Sequence, residues 1–246
     1  MPLRLPLGNR ELAIGWPWLL LTLAACLLFV SLGRWQWQRG ELRQQQWQQI
    51  RTALAAAPAV VADGTALARQ PRHARVQVRG QWLGDRQVLL DNLSRDGKPG
   101  YEVLTPLRLA DGSLLLMNRG WLPFDGYRSN VPDVSLPAPV AGEFTGRLDQ
   151  LPVPGIRAGS VVAEAPPAQW PVVASFPTSA QLSAWLGEPV ADRVLLLDDG
   201  NGPGWRRDWP LPGVDPQRHY SYAIQWWSFA ALAVALLLGL NIRKRT

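Results

Sequence analysis

The chain is short of the side chains that reactive chemistry needs: its 246 residues include one cysteine, two histidines and two methionines. The single cysteine, Cys26, excludes an intramolecular disulfide, a CxxC redox pair, a thiolate metal cluster and the CxxCH of covalent haem attachment. One Cys and two Met also supply too little sulfur for a Cu(I) chaperone. His73 and His219 are too few for a zinc hydrolase built on several imidazoles. No P-loop, GxGxxG, GxSxG or HExxH occurs. Carboxylates such as Asp91, Asp198 and Asp199 fall at expected strand ends, where Asp commonly caps turns, so no acid/base pair stands out and no enzyme is expected. Lysine is scarce as well, with only Lys98 and Lys244 against 23 arginines, which we read as compositional bias. Planar recognition of carboxylates is the alternative.

Formal charge is absent from two long stretches, the 22 residues between Glu11 and Arg34 and the 23 between His219 and Arg243. Each, as a helix rising ~1.5 Å per residue, reaches the ~30 Å of a hydrocarbon core. Trp16 and Trp18 near the start of the first run, and Trp35 and Trp37 past its end, suit indole anchors at the headgroup level. The run is too long for a signal-peptide core, and Ser31 to Arg34 make a poor cleavage site, so the span is expected to be retained. Arg243, Lys244 and Arg245 hold the exit of the second run on the cytoplasmic side, in agreement with Arg4 and Arg10. Arg34, Arg39 and Arg43 argue the other way, with less weight because a long interior translocates regardless of its charge. With some 11 residues before the first span there is no room for a transit peptide, and a bacterial inner membrane is expected. The tails carry four of the six net positive charges. The interior is left at about +2, too little for a nucleic-acid surface. The resulting organisation is a cytoplasmic tail (1–11), a span (12–33), a helical stalk (34–57), an extracytoplasmic β-rich domain (58–218), a second span (219–242) and a cytoplasmic tail (243–246).

The stalk follows from good helix formers up to Pro58, with Leu42, Trp47, Ile50 and Leu54 near helical spacing. Beyond it the period changes to two. Arg75–Trp82 and Gln87–Leu93 read as a hairpin about Gly84 and Asp85. Gly97 to Gly100 read as a turn before Tyr101–Leu109, and Asp111–Gly112 as another before Ser113–Trp121. Gly142–Leu151 and Arg193–Asp198 are further strands, and Thr178 with Gln181 caps a short helix ending at Gly187. Val131–Val140 and Ala165–Pro171 are proline-rich loops. The expected fold is a membrane protein in which two helices flank a mainly antiparallel β-barrel or sandwich of six to eight strands with one or two short helices.

At the entry to the second span, His219, Tyr222, Ala223 and Trp226 share one helix face. An imidazole above an aromatic wall can ligate the iron of a lipophilic haem. The plainer reading is an interfacial aromatic belt. Across from it stand Trp35, Gln36 and Arg39, where an arginine can pair with a propionate if the spans touch.

These segments carry a resemblance. GRWQWQR (Gly33 to Arg39), DNLSRDGKPGYEVLTPL (Asp91 to Leu107), NRGWLP (Asn118 to Pro123) and HYSYAIQWWSFA (His219 to Ala230) resemble, in order and over nearly the whole chain, the surfeit-locus protein family of cytochrome c oxidase assembly factors in its bacterial form. The resemblance implies a non-enzymatic factor that receives haem a near the membrane and aids its placement in oxidase subunit I. His219 is then the metal ligand, while Tyr222 and Trp226 on its helix face and Trp35, Gln36 and Arg39 across from it are the further cofactor-binding candidates that placement gives. Implied partners are subunit I, other oxidase assembly factors and membrane lipids. Rival readings are a scaffold that never touches haem and, last, a haem-modifying enzyme. The GYEVLTP and NRGWLP signatures read as architectural: Gly100 and Gly120 as turns, Pro106 and Pro123 as ends of ladder pairing, Tyr101 and Trp121 as packing. The stretch Val153–Trp170 aligns with nothing.

Overall fold

In chain order the elements are strands β1 (Leu3–Leu7) and β2 (Arg10–Ile14), helix α1 (Trp16–Ala55), strand β3 (Ala59–Val61) and helix α2 (Gly64–Ala68). Strands β4 (Arg75–Trp82), β5 (Val88–Arg95), β6 (Lys98–Arg108), β7 (Leu114–Pro123), β8 (Ala141–Asp149) and β9 (Val172–Ala174) follow. Helix α3 (Ser179–Leu186), strand β10 (Val190–Leu197), helix α4 (Pro216–Asn241) and strand β11 (Ile242–Lys244) complete the chain. They come from a computed structural model that describes residues 3–7, 9–127, 130–136, 141–153, 166–202 and 204–244. Most of the unaligned stretch, 154–165, lies outside the described residues, as do 137–140 of the first proline-rich loop and Arg245. Two units emerge: Met1–Gln49 with Leu211–Thr246, and Ile50–Pro210.

In the second unit a mixed sheet runs β3-β4-β8-β10-β7-β6-β5-β9, with β4 also pairing β6. That extra pairing, Gln81 to Arg108 and Trp82 to Leu107, closes β4, β8, β10, β7 and β6 into a ring. The ring is filled from every one of its strands: Val76, Val78 and Trp82, Leu107, Leu115 and Met117, Phe144 and Leu148, Leu195 and Leu197 form one core. A small closed barrel leaves its five strands without a free edge where they close. Helix α3 covers the outside with Leu182, Trp185 and Leu186 against Leu104, Leu114 and Leu116. Its ends are as expected, with the Thr178 Oγ1 accepting from Gln181 N (3.1 Å) and Gly187 left-handed at φ 74°.

Several expectations need correction. Arg75–Trp82 and the following strand are not a hairpin: β4 pairs β8, β3 and β6, whereas β5 pairs β6 and β9. Both lie along the same edge of β6, so Gly84–Asp85 is a corner between consecutive strands. The true hairpin turn is Asp96–Gly97, both at positive φ (51° and 74°), the pairing an Asp-Gly dipeptide favours. Lys98 to Gly100 are already in β6. Gly100 and Gly120 are not turns either. A Cβ on Gly100 would stand 2.3 Å from the Leu122 carbonyl oxygen, and Gly120 (φ 126°) lies against the Trp205 backbone, so each glycine allows a close backbone approach. Pro106 stays inside the β6–β7 ladder opposite Leu116, while Pro123 does end β7.

The first unit differs at its ends. Helix α1 starts at Trp16, not Leu12, and Leu12 to Ile14 belong to β2. It then runs 40 residues without a break, so the stalk is helical to Ala55. Helix α4 starts at Pro216, capped by the Asp215 carboxylate, which accepts from Gln217 N (2.8 Å). Both helices are long and apolar enough to cross a membrane.

The β domain predicts one pH effect. His73 sits at φ 70° with its side chain 16% exposed and Nδ1 3.9 Å from Asp149. Burial holds its imidazole below the ordinary value of 6.5; Asp149 pulls it back up and Arg72 and Arg147 push it further down. The unfolded chain therefore takes up this proton first, and stability falls as the pH drops below about 6.5. His73→Asn tolerates the left-handed backbone and is expected to flatten that slope between about pH 7 and pH 5 in urea unfolding. An unchanged slope would assign the effect to other groups.

Candidate functional site

Within the first unit, α1 and α4 pack antiparallel through residues that need little room. Gly33 and Gly40 of α1 and Ala223 and Ala230 of α4 are buried, each pair seven residues apart, a spacing that returns to the same side of a helix. Aromatic rings fill the space they leave. A Cβ on Gly33 would stand 2.3 Å from Trp227 Nε1, and one on Gly40 2.7 Å from Tyr220 Cε1. Trp37 meets Tyr220 (4.8 Å between centroids) and Trp227 (5.7 Å). Toward one end the Cys26 Sγ donates to the Ala230 carbonyl (3.7 Å), and toward the other Trp47 Nε1 donates to the Pro212 carbonyl (2.9 Å). Gly33 and Gly40 thus each admit a ring of the facing helix rather than its backbone.

His219 stands in the first turns of α4, half-buried, with Nδ1 2.9 Å from Gln36 Oε1 on α1. An amide oxygen can only accept, so in the neutral imidazole this contact puts the proton on Nδ1 and the lone pair on Nε2. The contact fixes the ring's orientation between the two helices. Trp226, two turns on, stacks on Phe29 (5.8 Å, 23°), and Phe229 meets both rings edge-on. Of the expected site residues, His219 and Gln36 are thus brought together and Trp226 is placed in a wall with Phe29. Tyr222 and Trp35 are exposed, at 49% and 54%. Arg39, also exposed, lies one turn beyond Gln36 and makes no ion pair among the described residues.

No group of three or more His, Cys, Asp or Glu among the described residues could hold a bare metal ion. The pairs Trp37–Tyr220 and Gly33–Trp227 were missed from sequence, where Trp37 counted as a headgroup anchor. The signal was there in the seven-residue spacing of Gly33 with Gly40 and of Ala223 with Ala230.

The GYEVLTP and NRGWLP segments meet in the β domain as a polar network. Glu102 accepts from Arg95 Nη2 (2.8 Å) and Asn118 Nδ2 (2.6 Å), and Asn118 Oδ1 accepts from Gly120 N (3.1 Å). Beside it Gln87 Oε1 accepts from Thr105 Oγ1 (2.8 Å) and Arg119 Nη1 (2.5 Å). The Arg119 guanidinium lies between the Trp82 and Trp205 rings, 5.4 and 4.8 Å from their centroids. Burial, then the neighbouring Arg207, pushes its pKa down to about 10. Arg207 in turn ties the 198–202 loop, donating to the carbonyls of Asp198, Asn201 and Gly202. Asp198, expected at a strand end, is paired with Arg75 Nη2 at 2.9 Å.

A model of the SURF1 family matches residues 23–231. An uncharacterised SURF1-like protein of Mycobacterium tuberculosis is 32% identical over 239 residues, covering 89% of this chain and 80% of that protein. A SURF1-like protein of Drosophila melanogaster is 26% identical over 249 residues, 93% of this chain and 78% of the fly protein, and one of Monosiga brevicollis is 27% identical over 246 residues, 92% and 88%. The matched span reaches into both helices and includes both signature segments, and on this ground the chain belongs to the SURF1 family.

Proposed function

We propose that this chain is a non-catalytic assembly factor for haem-copper cytochrome c oxidase, which holds haem a at the outer membrane interface and aids its insertion into subunit I. SURF1 proteins are a family of oxidase assembly factors. The observation that supports the haem reading is the His219–Gln36 hydrogen bond, which joins the two helices and, in the neutral imidazole, leaves the Nε2 lone pair for a ligand. Haem a, as cargo, brings the iron and a long apolar tail. The chain's own residues would hold the iron through His219, flank the ring with Tyr222, Trp226 and Trp35, and offer Arg39 to a propionate. Arg243, Lys244 and Arg245 favour a bacterial inner-membrane topology with both termini cytoplasmic and the β domain outside.

Purification of the full chain from cells making haem a tests the reading. The wild type is expected to carry haem a absorbance, and His219→Ala to lose about tenfold or more of it. Gln36→Leu, which frees the imidazole without removing it, should weaken haem retention by roughly 10-fold to 100-fold. Equal haem in wild type and His219→Ala would remove His219 as ligand. No haem in either would leave a scaffold that stabilises oxidase intermediates without touching haem.

A further inference from the structure

The stretches read from sequence as the two tails, together with the outer ends of the two spans (Leu12–Ile14 and Ile242), pair into a small antiparallel sheet, β1-β2-β11, with β2 in the centre. Only Gly15 separates β2 from α1, and β11 follows α4 directly, so the sheet stands at one end of both apolar helices. Register sorts its side chains, because directly opposite residues share a face. Leu3 faces Ile14, Leu5 faces Leu12, Leu12 faces Ile242, and Arg10 faces Lys244. One face is therefore apolar near the helices and cationic at its far rim. The opposite face carries Arg4, Pro6, Ala13 and the cross-strand pair Glu11–Arg243.

Leu12 and Ile14 are buried, but Leu3, Leu5 and Ile242 are 39%, 48% and 38% exposed. Arg10 and Lys244 are like charges placed directly opposite, an arrangement that costs stability unless an anion lies between them. No acid shares their face among the described residues. One surface satisfies both features: the acyl boundary of a bilayer takes up the exposed leucines, and the phosphates of anionic lipids sit between the cations.

We propose that the β1-β2-β11 sheet is a lipid-docking platform that lies on the anionic leaflet from which both helices emerge, with Leu3, Leu5 and Ile242 in the acyl boundary and Arg10 and Lys244 on the phosphates. The proposal rests on reading α1 and α4 as membrane spans. Continuity supports this occupant, since the helix ends deliver the sheet to the headgroup level. So does charge, with Arg4, Arg10, Arg243 and Lys244 against the lone Glu11.

The test uses the full chain with Cys26→Ser and single substitutions Leu5→Cys, Pro6→Cys or Leu232→Cys, each carrying an environment-sensitive fluorophore. The chain is placed in nanodiscs of phosphatidylcholine with or without phosphatidylglycerol, doped with lipids bearing a nitroxide at shallow or deep positions. The Leu5 probe is expected to be quenched by the shallow nitroxide at least about twofold more than the Pro6 probe on the other face. Arg10→Glu with Lys244→Glu should bring it to the Pro6 level in discs containing phosphatidylglycerol. Deep quenching at Leu232 with Leu5 and Pro6 alike would overturn the platform and leave the spans standing. Leu5 shielded from nitroxide in discs holding two copies would assign the face to a second copy and also overturn it. An unquenched Leu232 would overturn the spanning reading itself.

Discussion

Arg119→Met is expected to lower the melting temperature of the β domain by roughly 10 °C in thermal unfolding of the full chain. Arg119 is 2% exposed and serves two kinds of neighbour at once. Its Nη1 donates to Gln87 Oε1 and to the Val134 carbonyl (2.9 Å), and its plane fills the gap between Trp82 and Trp205. Methionine refills part of the gap but offers no donor, which leaves the buried Val134 carbonyl with the Gln87 amide (2.7 Å) and costs the Gln87 oxygen one of its two partners. Losing such contacts in a buried site costs about 3 kcal/mol, and the stacking between two indoles adds to it. Lysine would keep the charge without the planar fork, so Arg119→Lys is expected to recover less than half of the loss. A variant that melts within about 2 °C of wild type would show that the network is not what ties β5, β6 and β7 together.

The second large effect is expected at Gly33. A leucine there would place side-chain atoms where the Trp227 indole lies, since even a Cβ meets Nε1 at 2.3 Å. The indole cannot move aside freely because it is stacked on Trp37. Overpacking of this kind costs about 1–3 kcal/mol, comparable with the whole association energy of a small-residue helix pair. The readout is cross-linking between native Cys26 and Ala230→Cys, positions linked by the Cys26 contact to the Ala230 carbonyl. Oxidation is expected to join them in the parent chain and to fall at least about fivefold with Gly33→Leu. The His219–Gln36 bond joins the same two helices, so the haem retention proposed for the chain should fall with it. Gly239→Leu, on a stretch of α4 with nothing within 4 Å, is the matched control and should leave cross-linking unchanged.

Much of this fold was legible because period and punctuation agreed. β4 was found residue for residue, as its buried Val76, Val78 and Trp82 alternate with more exposed neighbours. Thr178, Gln181 and Gly187 framed α3 because caps act within one turn. What escaped was set by distant partners. β3 and β9 are three residues long and exist only against β4 and β5. β1, β2 and β11 need both chain ends together, and a contiguous apolar run from Leu12 hid the break at Gly15. Gly84–Asp85 looked like a hairpin because the β4–β6 closure that turns it into a corner lies more than twenty residues away. At the site, sequence identified His219 and Gln36 separately, but the bond between them spans 183 positions and follows no local pattern.

That separation also sets an order in time. Gln36 leaves the ribosome before the whole β domain, and His219 after it. At about 5–20 residues per second, some 10–40 s pass before the two can meet. Throughout that interval the Gly33 and Gly40 face of α1 has no α4 to cover it, and the imidazole has no amide to orient it. A chain interrupted anywhere in the barrel therefore has α1 without α4, and only a polypeptide extended through α4 can bring His219 to Gln36.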